Sequence, residues 1–296
     1  MRLDTVVIGI DFSAASLATA QWAANTLAPG TELLLVHVIE PPPRSAFLVV
    51  DTPADLLETE ARVEAENELK EVARMIGRAA RMEVRGGRAS TAVAQFATDC
   101  GADLIVVGAH GAHARESLWL GTTADTLVRS ADVPVLVGAR ASAAGQTRVI
   151  ASVESPPTAR SVLSWAGHAM RALGGRLTIL HAIEPAAYSH MASLAAAHAR
   201  GDADAERREI EDARRQETAF WLAESAKAPV EHARTDLVVD VGPAAEAILR
   251  HAGAENAALI VLGRHVGMTG FPSRLGRTVR HVLHEARCAV LVVPPA

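Results

Sequence analysis

The sequence predicts an α/β protein made of two tandem, doubly wound parallel sheets of five strands each. Three observations carry this reading. Short continuous apolar runs alternate with amphipathic helical stretches, the whole pattern occurs twice along the chain, and 296 residues suffice for two domains that each bury a core. An apolar share of 49% with 21% charged residues is that of an ordinary globular chain and excludes wholesale disorder.

Taken in order, Thr5–Ile10 reads as a first buried strand, Ser13–Leu27 as a helix, and Glu32–Val38 as a second strand ahead of a proline loop, Pro41–Pro43. A long amphipathic helix spans Ala54–Arg81, acidic at its start and basic at its end, as the helix dipole favours. A short strand at Glu83–Arg85 and a helix at Ser90–Cys100 follow. Leu104–Gly108 is then a strand, Thr122–Ser130 a helix and Val133–Val137 a last strand. The acid-rich run Glu58–Glu71 reads as a solvated helix face. A small, polar linker, Ala139–Thr147, is too short to let the two halves drift far apart.

The second half repeats these elements. Trp22 and Trp165 anchor the first helices at an offset of 143 residues, LLLVHVIEP parallels LTILHAIEP, and DVPVLVG parallels RCAVLVVP. Between Gly108 and Gly263 the offset has grown to 155, which places a longer middle in the second copy, in its second helix. The domains are therefore 1–140 and 146–296. The final strands of the two copies are apolar and belong at sheet edges, where pairing with the sister domain is the simplest way to remove an uncovered edge.

The segment GAHGAHARESLWLGTT carries the functional signal. It lies between a buried strand and a helix start, where glycines admit close backbone approach and a helix N-terminus offers unpaired N–H groups to an anion. It is not a Walker loop, since no Lys lies near it, and its glycines are too widely spread for the dinucleotide fingerprint. Strand, G-x2-G-x9-G-[ST] and a following VPVLVG strand resemble the universal stress protein family in its ATP-binding branch. The opening VVIGIDFS and the strands LLLVHVIE and GADLIVVG extend that resemblance over nearly the whole chain.

The resemblance implies an adenine-nucleotide-hydrolase-like fold with strand order 3-2-1-4-5 in each sheet, and domain pairing that makes the tandem an intramolecular pseudo-dimer. It implies ATP as the bound cofactor, alone or with Mg, with Asp11 at the adenosine moiety and Val38 meeting the adenine through its backbone. Gly108, Gly111, Gly121 and Thr122 are implied to hold ribose and phosphates, with Thr123 beside them, and His110 and His113 lie inside the same loop. With that strand order, Asp11 and Gly108 converge on the topological switch point where ligands of open α/β sheets bind. Asp11 can equally cap the helix beginning near Ser13, and the two roles can coexist.

The second copy departs from the motif. Gly263 matches Gly108, but Val266 stands at Gly111 and Gly276 is followed by Arg277; Glu154 aligns with Asp11, and Ala182 replaces Val38. A β-branched residue obstructs close backbone approach and disfavours positive φ, so one competent ATP site per chain is expected, in the first copy. Arg264, His265, Arg274 and Arg277 surround the altered loop. They form either a site for another anion or an ordinary solvated cluster, and the second reading is favoured because Arg makes up 27 of the 29 basic residues.

Other classes are excluded or ranked lower. A net charge of −5 argues against a nucleic-acid binder. Cys100 and Cys288 cannot form a disulfide framework and fit a reducing compartment. The start lacks a signal-peptide pattern and no uncharged apolar run is long enough to span a bilayer, so a cytoplasmic protein is expected. His281, His284 and Cys288 fall at helical spacing, but Cys288 opens the last strand and a fourth zinc ligand is not visible, so no metal site is expected.

Phosphoryl transfer needs a metal arrangement, a cation at the phosphate and a base, and no Lys or paired carboxylate stands beside His110, His113 and Arg115. A nucleotide-binding stress-response regulator therefore ranks first, a weak ATP hydrolase second, and a sensor of another small ligand through the second domain third. The stress served, the protein partners and any homodimer stay open.

Overall fold

The computed structural model describes residues 3–40, 54–111, 120–138, 147–154, 156–183, 234–264 and 275–295, with isolated positions 212, 216, 217 and 221. The proline loop, nearly all of the linker and the longer middle of the second copy lie outside the described residues.

The first repeat runs β1 (Thr5–Gly9), α1 (Ala14–Trp22), β2 (Glu32–Ile39), α2 (Ala54–Ile76), β3 (Arg81–Gly86), α3 (Ala89–Asp99), β4 (Leu104–Val107), α4 (Thr122–Ser130) and β5 (Val135–Val137). The second runs β6 (Arg148–Ser152), α5 (Pro156–Leu173), β7 (Arg176–Ile183), β8 (Thr235–Val241), α6 (Ala244–Ala254), β9 (Leu259–Gly263), α7 (Arg277–Glu285) and β10 (Ala289–Val293).

Boundaries moved where local chemistry overrides periodicity. The helix expected to reach Arg81 stops at Ile76, because Gly77 takes a φ of 75° and its N–H turns back to Ala73 O at 3.1 Å. That frees Arg81 to begin β3. The first helix continues past Trp22 as a five-residue π-turn, Ala23–Leu27. Its terminal carbonyls are met by the Arg78 guanidinium, which bonds Ala24 O, Ala28 O (2.7 Å) and Thr31 O (2.6 Å).

Within each repeat the strands run parallel in the order 3-2-1-4-5, as expected. The sheets are nevertheless not separate. They merge into one ten-stranded sheet, β3-β2-β1-β4-β5-β10-β9-β6-β7-β8, through antiparallel pairing of β5 with β10, in which Leu136 opposes Leu291. Successive strand residues face opposite sides. Val6 and Ile8 therefore enter a core with α1, α2 and α5, while Val7 enters a second core with α3, α4, α6 and α7. On α2 the buried positions Ala65, Leu69, Val72 and Ile76 form the inward stripe, and Glu64, Glu66, Glu68 and Glu71 are exposed. Among the described residues no helix is long and apolar enough to cross a membrane.

Two polar contacts lock the repeats together, one on each face of the sheet. His168 on α5 bonds Leu27 O through Nε2 at 3.1 Å; a carbonyl can only accept, so Nε2 carries the proton. On the other face Arg264 donates from Nη1 to Val128 O at 3.0 Å and from Nη2 to Ala131 O at 2.9 Å, at the C-terminus of α4. This corrects the expectation for Arg264. It is buried and spans the repeats, neither solvated nor turned toward a ligand. His265 and Arg274 lie outside the described residues.

Burial lowers the pKa of His168, partly opposed by its bond to Leu27 and reinforced by Arg171. The unfolded chain, with an ordinary imidazole near ~6.5, then holds more protons than the folded one between that value and the depressed folded pKa. Stability is accordingly full above about pH 6.5 and falls as the pH drops through the folded pKa. Urea midpoints measured from pH 7.5 to 5 are expected to fall less for His168→Gln, which keeps a donor but does not titrate; equal falls in both proteins would count against this role.

Candidate functional site

At the carboxyl end of β1 the chain turns through Ile10, Asp11 and Phe12 before α1 begins. Phe12 adopts a φ of 60°, unusual for a bulky residue and a mark of an over-determined local structure. Ser13 is the N-cap, its hydroxyl accepting from Ser16 N–H at 3.2 Å. Asp11 Oδ1 accepts from Ser13 N–H at 3.0 Å and from the Ser13 hydroxyl at 2.6 Å. The proposed capping role of Asp11 is thus corrected: Asp11 orients the cap instead of being it. Its other oxygen, Oδ2, faces Gly111, where a Cβ would stand 3.4 Å away.

The loop after β4 comes back against this turn. Gly108 packs on the first turn of α1, where a Cβ would stand 3.2 Å from both N and Cα of Ser16. The loop closes through Gly121 N–H to Ala109 O at 2.8 Å, and a Cβ on Gly121 would lie 3.3 Å from that carbonyl. Gly121 is the N-cap of α4 and supplies no side-chain cap, so the first-turn N–H groups of that helix point toward the cleft without one. None of the three loop glycines has a positive φ. What they provide is space, which corrects the argument that a β-branched residue fails at the Gly111 position on backbone conformation.

Together these parts enclose a cavity of about 310 Å³, within the size range of small-molecule sites. Asp11, Val38, Gly108, His110, Gly111, Gly121, Thr122 and Thr123 all line it. His113 lies outside the described residues. The periodicity reading missed Val36, Ala89 and Val93, which with Val38 make an apolar wall. Ala89 and Val93 come from α3, whose start is fixed by Glu40 Oε1 accepting from Ala89 N–H at 2.9 Å. His37 was also missed. Its Nδ1–H donates to Ile10 O at 2.8 Å and its ring lies 4.5 Å from that of Phe12, bracing the turn that carries Asp11. The second repeat makes the equivalent contact, His181 to Val153 O at 2.8 Å, and the histidine shared by LLLVHVIEP and LTILHAIEP was the signal that could have found it.

The second repeat keeps this bracing. Among the described residues a Cβ on Gly276 would meet nothing within 4 Å, whereas one on its counterpart Gly121 would face Ala109 O; residues 265–274, Val266 among them, lie outside the described residues. Cys288 precedes β10, burial pushes its thiol up to about 12, and among the described residues no cluster of His, Cys, Asp or Glu is arranged to hold a metal.

A family model described as the universal stress protein family matches this chain twice, over residues 2–138 and 147–294. Among solved structures, a functionally unknown protein from Pseudomonas aeruginosa PAO1 aligns with a TM-score of 0.67 at 19% identity, covering 99% of this chain and 93% of that one. A universal stress protein from Archaeoglobus fulgidus aligns with a TM-score of 0.67 at 20% identity over 99% of this chain and 97% of its own. These likenesses concern the fold.

The spatial role of the glycines separates two substitutions. Gly108→Ala forces a shift between β4 and α1 and is expected to cost about 1–3 kcal/mol, whereas Gly111→Ala meets ordinary van der Waals contact and is expected to leave the urea midpoint nearly unchanged. Equal effects from the two would contradict the packing described.

Proposed function

Since the chain belongs to the universal stress protein family, we propose that it is an ATP-binding regulator whose nucleotide site is the cleft of the first repeat. The observation that carries this reading is the convergence, at the β1–β4 switch point, of an apolar wall, a carboxylate and a glycine-lined helix N-terminus in one cavity. The adenine lies against Val36, Val38, Ala89 and Val93, with the Val38 backbone reading its edge. Asp11, held by Ser13, receives the ribose hydroxyls. Gly108, Gly111 and the first turn of α4 at Gly121, Thr122 and Thr123 take the phosphates through backbone N–H groups. ATP is taken alone or with Mg.

The carboxylate sits at the sugar end and is engaged by Ser13, badly placed to activate water at the γ-phosphate. Binding that alters conformation or interaction is therefore the favoured role. A weak ATP hydrolase is the second reading, favoured by the position of His110 on the cavity wall. The second repeat, which has Val266 and Arg277 where the first has Gly111 and Thr122, serves as the non-binding partner.

Isothermal titration with ATP tests this. One site per chain is expected, with Gly111→Val weakening it at least about tenfold, since the side chain enters the cleft beside Asp11 and displaces contacts worth a few kcal/mol. Two equivalent sites would overturn the asymmetry, and no binding at all would overturn the reading. ATP turnover that disappears in His110→Ala while binding persists would instead favour the hydrolase.

A further inference from the structure

The helix α4 joins two places that matter. Its N-terminus, from Gly121 to Ala124, lines the cleft of the first repeat, and its C-terminus lies at the junction with the second repeat. Nine residues long, it is a rigid rod of about 13 Å. At the far end its last carbonyls receive Arg264, which carries a full charge into a position only 7% exposed. Arg264 is itself fixed by its backbone N–H to Val293 O at 2.7 Å, directly after β9. Its guanidinium contacts are carbonyls of α4's last turn, and the Asp132 carboxylate lies near enough to favour its charge. The buried Nε has no hydrogen-bond partner among the described residues. A buried cation so held is tied to one position of α4, because retraction of the helix would strand it.

The staple runs one way. Gly263 is the counterpart of Gly108, so Arg264 stands where the first repeat has Ala109, a residue with no side chain to reach across. The first position of the altered loop is thus spent on holding the other repeat.

We infer that Arg264 is a positioning residue for the nucleotide cleft of the first repeat: by fixing the C-terminus of α4 it sets where the phosphate-binding end of that helix stands. This rests on the ATP reading above. It gives the second repeat a function that needs no ligand of its own, and it makes the affinity of the first site depend on a residue outside its domain. Because α4 meets phosphates while the base and sugar rest on β1, β2 and α3, the effect is confined to the phosphate end.

That confinement separates positioning from general loosening. Titrations of ATP and of adenosine into the full-length protein, into Arg264→Met and into Arg264→Lys are compared, with urea midpoints as the folding control. ATP affinity is expected to fall about tenfold in Arg264→Met, within the usual range of couplings between sites, while adenosine affinity changes less than about twofold. Arg264→Lys, reaching one carbonyl where Arg reaches two, is expected to lose ATP affinity to an intermediate extent and carries the test alone if Arg264→Met does not fold. Parallel losses of ATP and adenosine, or unchanged ATP affinity in a folded variant, would overturn the positioning role while leaving the ATP site standing. Wild-type protein that binds neither molecule would instead remove the ATP reading, and this role with it.

Discussion

Where β5 meets β10, each repeat uses the other to complete its sheet. A short strand such as Val135–Val137 has β4 on one side only, and without a partner on the other its outward N–H and C=O groups and apolar side chains would face water. Antiparallel pairing with Val290–Val292 removes that edge and buries Leu136 and Leu291 completely. The repeats are thereby fixed in mutual orientation, and α5 and the end of α4 are brought to the junction on opposite faces of the sheet. His168 and Arg264 can then reach across it, one on each face.

The cleft depends on the same sheet in a different way. Parallel order 3-2-1-4-5 makes the connections from β1 and β4 leave in opposite directions, which opens a crevice at their carboxyl ends. The crevice stays narrow because Gly9 and Gly108 allow β1, β4 and the first turn of α1 to approach closely; a Cβ on Gly9 would lie 3.2 Å from Val107 Cγ1. The walls then follow from strand alternation. Val36 and Val38 point to the α3 side, while His37 lies between them and turns to the other face, where it holds Ile10 O and meets Phe12.

Duplication left two copies of this architecture. The bracing histidine is retained in both repeats, each ring held to the carbonyl of the residue after the first strand. What differs is the loop after the fourth strand. In the first repeat Gly121 seats against Ala109 O, and in the second the residue in Ala109's place is Arg264, directed into its neighbour. A side chain of that length could not occupy the equivalent place in the first repeat without changing the loop that lines the cleft.

Much of this was legible in the amino-acid order. Apolar runs and helical stripes located the strands and helices, since burial periodicity is local. The repeat was visible because LLLVHVIEP and LTILHAIEP share pattern and composition, and eight of the nine residues chosen for the site line one cavity, the ninth being outside the described residues. The misses share a cause. The end of α2 at Gly77, the wall supplied by Ala89 and Val93, and the inter-repeat grip of Arg264 depend on what each residue meets across the fold. An arginine in a basic-looking loop reads as solvated until a helix C-terminus from the other repeat arrives beside it. Sequence alone determined the elements, their repetition and the loop chemistry, because these follow from neighbours along the chain. Tertiary structure decided where α2 ends, which charges are buried and which side chains wall the cleft, because those depend on distances that only packing sets.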